Sequence, residues 1–293
     1  MKDHKPNFHN SPTVRLINPE KSDIGKISKQ ILEKIVMNVK KCLPELNQWK
    51  NTKSVIDWFK RIKNKKQYKF LQFDICEFYP SITEELLDKA LDFASDHVLI
   101  SNHDRKTIKQ AKRSLLYSGD SPWVKKGSQN FDVAMGSFDG AETCDLVGLF
   151  ILHKLRVLGI ELGLYRDDGL GICRLSARQV EIVKKKMCSI FRDLNLRITT
   201  DVNHKIVNFL DVTLDLNTGE YRPYMKPNNS ILYVNRLSNH PPAIIKNIPE
   251  SVNRRLCDIS CNEKVFLDAV GPYQQALKDS GYDYNTLMIM GLK

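Results

Sequence analysis

"GLYRDDGLGI", Gly163 to Ile172, sets two adjacent aspartates, Asp167 and Asp168, between two short apolar runs. The pattern predicts a hairpin with both acids at its tip. Two explanations compete. Asp-Gly is a favoured turn dipeptide. A carboxylate pair on a tight turn can also grip a divalent metal. The choice depends on whether the chain supplies a further carboxylate and the rest of a site.

That carboxylate is offered by "KFLQFDICEFYPSITEELLDKALDFA", Lys69 to Ala94. Phe70 to Ile75 reads as a buried strand with Asp74 at its carboxyl end. The chain then turns through Phe78, Tyr79 and Pro80 into a helix. Ser81 with Glu84 reads as a capping box, and Leu87, Ala90, Leu91 and Ala94 form the helical stripe.

Other elements are read outward from these two stretches. Ser22 or Asp23 can cap a helix carrying Ile24, Ile27, Ile31, Ile35 and Val39, ended by Pro44. A second helix begins near Thr52. The segment 97–120 is polar and peripheral. "SPWVKKGSQNFDVAMGS" suggests a hairpin about Gly127 and a glycine loop at Gly136. "GAETCDLVGLFILHKLRVLG" is a helix apolar on most sides, with Gly159 as its stop. Ser176 and Gln179 form a capping box ahead of Val180, Val183, Met187, Ile190 and Leu194. Leu210, Val212, Leu214 and Leu216 alternate with Asp211, Thr213 and Asp215, predicting a half-buried strand. Asn217 to Gly219 then turns a second hairpin. A helix is expected from about Glu250. The sum is α+β, a mostly antiparallel sheet backed by helices.

The 293 residues carry 45 Lys and Arg against 34 Asp and Glu, a net charge of +11. That excess favours a polyanionic partner, nucleic acid or an acidic membrane face. The longest apolar run, Leu146 to Leu162, is interrupted by His153, Lys154 and Arg156, so a buried helix rather than a membrane span is expected. No signal peptide is expected ahead of "MKDHKP". Seven scattered cysteines fit a reducing, intracellular compartment, without distinguishing nucleus from cytoplasm. Cys257 and Cys261 are spaced CxxxC with His240 upstream, only weak evidence for zinc.

If the strand of Asp74 and the Asp167–Asp168 hairpin are neighbours in one sheet, three carboxylates converge. Such a cluster repels itself unless cations fill it. Two Mg²⁺ ions about 4 Å apart would fill it and clamp an in-line phosphoryl displacement. The basic surface would carry a nucleic-acid duplex.

Taken in order, "FDICEFYPSI", "AMGS" and "YRDD" resemble three successive palm motifs of reverse transcriptases, and "FLDVTLDL" sits where the later palm strands fall. "DHKP" with "TVRLI", and "YMKP", "SNHP", "IPES" and "RRLC" after the palm, resemble the Penelope-like retroelement type. The resemblance covers nearly the whole chain. It implies a right-hand polymerase with a fingers part at 1–70, palm at 71–96, a fingers/palm insertion at 97–130, palm at 131–227, and a short thumb-like helical region at 228–293. It implies templated addition of dNTPs to a primer 3′-hydroxyl on RNA, with Mg²⁺, or Mn²⁺ in its place. Asp74 and Asp167 would bind both metals, with Asp168 a less direct ligand and Ile75 offering its backbone. Tyr79 would be the steric gate against a 2′-hydroxyl, and Gly136 would let the backbone approach the nucleotide. Lys5 and Arg15 would hold the triphosphate, and Lys205 is a candidate general acid for pyrophosphate. Arg254 and Arg255 would track a phosphate backbone.

The departures from the family pattern are specific. Met135 stands where many relatives have Gln. "SFDGAE" adds Asp139 and Glu142 near the nucleotide. Arg166 occupies a position more often small or apolar, where it could neutralise the aspartates or contact the primer. Enzymes of this type often carry a nuclease domain after the polymerase, so a trimmed core with a missing flanking domain is expected. Two rivals remain. "FYPSI" also resembles the first motif of family B DNA polymerases, which copy DNA. A non-catalytic nucleic-acid-binding relic of a retroelement is the other.

Overall fold

A computed structural model describes residues 22–113, 116–123, 130–227 and 231–282. In chain order the elements are α1 (Asp23–Cys42), β1 (Asn47–Gln48), α2 (Thr52–Arg61), β2 (Lys69–Ile75), α3 (Phe78–Ser81), α4 (Glu84–Ser95), α5 (Asn102–Gln110), β3 (Leu116–Ser118), β4 (Ser121–Trp123) and α6 (Gly140–Leu155). They continue as β5 (Glu161–Tyr165), β6 (Asp168–Cys173), α7 (Ala177–Asp193), β7 (Ile198–His204), β8 (Ile206–Phe209), β9 (Val212–Asp215), β10 (Tyr221–Pro223), α8 (Pro242–Ile259) and α9 (Glu263–Asp279). The strands form a five-stranded sheet of order β1-β5-β6-β2-β7, a three-stranded sheet of order β10-β9-β8, and the β3-β4 pair. The fold is mixed α+β. Among the described residues no helix is long and apolar enough to cross a membrane.

The chain divides into two compact units. The first comprises 1–48, 72–171 and 181–200. In it α6 is buried on most of its faces, as its apolar run predicts, and α1, α3 and α4 pack against it. Gly159, at φ +64°, stops the short 3₁₀ turn that follows α6. A side chain there would be strained, which is why glycine ends the element. The Ser22 hydroxyl caps α1 by accepting the Gly25 N–H at 3.2 Å.

The face that α1 buries is rotated from the expected one. Gly25, Ser28, Leu32, Ile35, Val36 and Val39 are inside, whereas Ile27 is 52% exposed. The cause is polar. Ser28 donates its hydroxyl to the Asp139 carboxylate, and that same carboxylate pairs with Lys112. Lys112 and Asp139 are each 1% exposed. Burial pulls the Lys112 ammonium below the usual lysine range, and Asp139 opposes that shift. The segment expected to be peripheral therefore sends a lysine into the core, and α5 within it packs on α1. Asp139 is a core anchor rather than an acid facing a nucleotide.

One local reading is also corrected. The hydroxyl that caps α4 is that of Thr83, accepting the Leu86 N–H at 3.1 Å, while Ser81 ends α3. The β3-β4 hairpin turns at Gly119 and Asp120, both at φ +57°. Positive φ at both central residues is the usual two-residue hairpin geometry. Gly127 lies outside the described residues.

The second unit comprises 49–71, 172–180 and 201–293. Asn51 and Ser54 form the capping box that starts α2. Trp49 packs on Trp58 at 5.2 Å and edge-on to Phe209 at 5.6 Å. Asp211 ties three segments together by accepting the Thr52 hydroxyl and the Arg255 Nε and Nη2 groups, the latter at 2.8 and 2.5 Å. Strand β9 is buried at all four positions, not at alternate ones. It is the central strand of its sheet, and its polar members are satisfied. Thr213 donates to Asn208 at 2.7 Å, and Asp215 accepts the Asn217 N–H at 2.7 Å. Leu210, at φ +55°, lies in the turn before it. Helix α8 begins at Pro242, ahead of the expected start, because proline is well suited to a first helical turn.

Removing one partner of a buried ion pair strands the other charge. Lys112→Met is expected to cost about 3–5 kcal/mol in urea denaturation, and adding Asp139→Asn should recover much of that loss. A cost below about 1 kcal/mol for the single variant, the range of an exposed pair, would contradict the buried-pair assignment.

Candidate active site

Strands β6 and β2 are neighbours in the five-stranded sheet. The Ile75 N–H donates to the Asp167 carbonyl at 2.9 Å, so the strand end bearing Asp74 is bonded to the hairpin tip bearing Asp167 and Asp168. On the other side the Cys76 N–H donates to the Arg197 carbonyl at 2.8 Å. Asp74 is exposed, and Asp167 and Asp168 are half-buried. All three acids and the tip of the hairpin belong to the first unit.

The turn itself falls earlier than the Asp-Gly dipeptide suggests. β5 ends at Tyr165 and β6 begins at Asp168, leaving Arg166 and Asp167 as the turn residues. Arg166 has φ +53°, a conformation costing on the order of 1 kcal/mol for a residue with a side chain. Gly169 therefore answers a packing demand, not a turn. A Cβ placed there would lie 2.1 Å from Cζ of Phe73. Phe73 in turn packs on Phe191 of α7, with ring centroids 5.4 Å apart. At Gly171 a Cβ would meet Cδ2 of Leu162 at 2.3 Å and the Glu161 carbonyl at 2.7 Å. The two glycines let β6 lie close to its neighbours, which holds the acid-bearing tip in register.

Tyr79 sits on α3, half-buried. Nη1 of Arg166 donates to its hydroxyl at 2.6 Å. Arg166 is thus directed to Tyr79, and it also lies over the Tyr165 ring at 5.9 Å. Burial, reinforced by the neighbouring Cys144, pushes the Tyr79 phenol up to about 12, against the opposing pull of Arg166. Cys144 is fully buried, and burial holds its thiol well above the usual range. Gly136 has φ +89°, a conformation glycine reaches at no steric cost. The loop it belongs to closes through Ser137, whose hydroxyl donates to the Ala134 carbonyl at 2.8 Å. A Cβ on Gly140 would meet Oγ of Ser137 at 2.6 Å and Cε1 of Tyr79 at 3.5 Å.

The remaining expected site residues are placed as follows. Lys5 and Arg15 lie outside the described residues. Lys205 donates to the carbonyls of Lys66 and Tyr68, each at 2.6 Å, in the second unit. Arg254 pairs with Glu250 at 2.6 Å on the exposed face of α8, and Arg255 is engaged by Asp211. Glu142 lies 3.4 Å from Lys29, and its second carboxylate oxygen is buried with no hydrogen-bond partner among the described residues. Among the described residues no group of three or more His, Cys, Asp or Glu side chains could by itself hold a metal ion, Cys257, Cys261 and His240 included. Sequence reasoning missed Cys144 beside Tyr79 and the Lys112–Asp139–Ser28 cluster. No periodicity marks a lysine in a polar stretch as buried.

Two outcomes follow for this site. Gly169→Ala should destabilise by about 1–3 kcal/mol, as overpacking does, while Gly271→Ala, where a Cβ meets no atom of the described residues within 4 Å, should not. Equal effects in a denaturant series would count against the Phe73 contact. Second, the Tyr79 phenol ionises later in the folded chain than in the unfolded one, whose ordinary value is 10.0. Its contribution to stability is full below pH 10 and is lost as pH rises toward 12. Tyr79→Phe should lack that share of the alkaline loss. Identical stability–pH curves for the two proteins would contradict the assignment.

No family model matches the sequence, and no curated protein does. Solved structures do match in fold. Telomerase from Candida albicans, in complex with a fragment of telomeric RNA, aligns over 88% of this chain and 46% of its own, with TM-score 0.59 and 11% identity. Apo telomerase from Candida tropicalis, truncated from its C-terminal domain, aligns over 68% of this chain and 45% of its own, with TM-score 0.54 and 14% identity. The RNA-dependent RNA polymerase of a human picobirnavirus aligns over 90% of this chain and 58% of its own, with TM-score 0.52 and 12% identity. The chain thus spans about half the length of the solved structures it matches. What it has in common with them is the fold, and that fold is polymerase-like.

Proposed function

We propose that the chain is the core of an RNA-directed DNA polymerase of the Penelope-like retroelement type, adding deoxynucleotides to a primer 3′-hydroxyl on an RNA template. The observation that carries this reading is the Ile75–Asp167 backbone hydrogen bond. It ties the strand end that carries Asp74 to the hairpin tip that carries Asp167 and Asp168, and the fold is polymerase-like.

The donors suit Mg²⁺ in one mode and not in another. They are hard carboxylate oxygens, exposed or half-buried, and they do not form a closed cage. Mg²⁺ usually takes one or two protein carboxylates and completes its shell with water and substrate phosphates. Asp74 and Asp167 would hold it, with Asp168 in support. The Ile75 N–H is committed to Asp167, so a backbone ligand from Ile75 would be its carbonyl. When bound, Mg²⁺ would neutralise the transferring phosphoryl group and lower the pKa of the primer hydroxyl.

The chain's own residues would orient the reactants. The loop at Gly136 would admit the nucleotide close to backbone, and the Tyr79 ring would press on its sugar. Lys5 and Arg15 would meet the triphosphate. The +11 charge would hold the template–primer duplex through its phosphates.

A second reading, a catalytically silent nucleic-acid binder, is favoured by one observation: no three-acid cluster is assembled among the described residues. Primer extension separates the two. The wild-type chain with Mg²⁺ should extend a primer on RNA, and Asp167→Asn should lower the rate about a hundredfold or more, the scale for losing a group that stabilises transition-state charge. Binding of the duplex should persist in that variant. Extension by Asp167→Asn at the wild-type rate, or none by wild type, would overturn the polymerase reading. Preference for a DNA template would move the assignment to a DNA-directed enzyme.

A further inference from the structure

The hairpin tip contains an anomaly. Arg166 adopts φ +53°, where glycine or asparagine would turn the chain with less strain. Strain of this kind persists where surrounding contacts over-determine it. Here the contact is the charge-assisted hydrogen bond from Nη1 to the hydroxyl of Tyr79, 87 positions earlier in the chain. Gly140 faces the same ring: a Cβ added there would lie 3.5 Å from Cε1 of Tyr79, in ordinary contact. Cys144, fully buried, adjoins the same phenol. A ring held at its tip by Arg166 cannot swing aside without breaking that bond.

We infer that Arg166 is a positioning residue that locks Tyr79 and thereby sets discrimination against a nucleotide 2′-hydroxyl. The inference rests on the polymerase reading and on Tyr79 meeting the sugar. With the tether removed, the ring would yield to a ribose, and the ribonucleotide would be accepted more readily. Because Arg166 would act through Tyr79, its effect should vanish when the phenol hydroxyl is already gone.

The test measures kcat and KM for a dNTP and the matching rNTP in the full chain. Arg166→Gly relieves the positive φ, so its Tm should equal or exceed that of the wild type. Its deoxy-to-ribo ratio of kcat/KM should nevertheless fall about tenfold, the scale of a hydrogen bond to a charged group, mainly through a lower KM for the ribonucleotide. Arg166→Lys should restore part of the ratio. Tyr79→Phe should give a similar loss, and adding Arg166→Gly to it should give no further one. A ratio within about twofold of wild type in Arg166→Gly, or losses that multiply independently in the double variant, would overturn the inference alone. A wild-type chain that incorporates no nucleotide would overturn the polymerase reading and this inference with it.

Discussion

The hydrogen bond from the Ile75 amide to the Asp167 carbonyl is the contact on which the site depends. It joins a strand end to a hairpin tip from distant parts of the chain. The surrounding packing protects it. Gly169 lets the Phe73 ring lie against β6, Gly171 lets the Glu161 carbonyl approach, and Phe191 of α7 backs Phe73. Each buried aromatic of this kind contributes about 1.5–3 kcal/mol. A one-residue slip of β6 would turn every side chain to the other face, and the aspartates would leave the end of β2.

A second constraint is polar and lies deeper. Lys112, Asp139 and Ser28 draw the segment after α5, the entry to α6 and the body of α1 onto one carboxylate. A buried ion pair contributes little net stability, because desolvation offsets attraction. What it supplies here is geometry. Asp139 immediately precedes α6, and α6 carries Gly140 and Cys144, which border Tyr79. The position of the tyrosine thus depends on a core charge pair as well as on the hairpin.

Much of this was legible in the residues, for identifiable reasons. Val180, Val183, Met187 and Ile190 recur at helical spacing, and α7 is found there. The apolar run closed by Asp74 is strand β2, and the Asp167–Asp168 hairpin is its sheet neighbour. What escaped was decided by tertiary context. Lys112 is buried because Asp139 waits for it, a pairing 27 residues apart that periodicity cannot encode. β9 is fully buried because it is the central strand of three, and neither Thr213 nor Asp215 signals that. Arg166 reads as a cation near two acids. Its engagement with Tyr79 comes with a left-handed backbone that arginine rarely adopts, which no sequence pattern announces.

The most direct measurement of the central claim is amide-resolved NMR with Mn²⁺ as a paramagnetic probe in the presence of a dNTP. The account predicts that the amide signals of Ile75 and of Asp167 and Asp168 broaden together at the same Mn²⁺ concentration, because one ion lies near both strand end and hairpin tip. Broadening of one set without the other, or of neither, would contradict it.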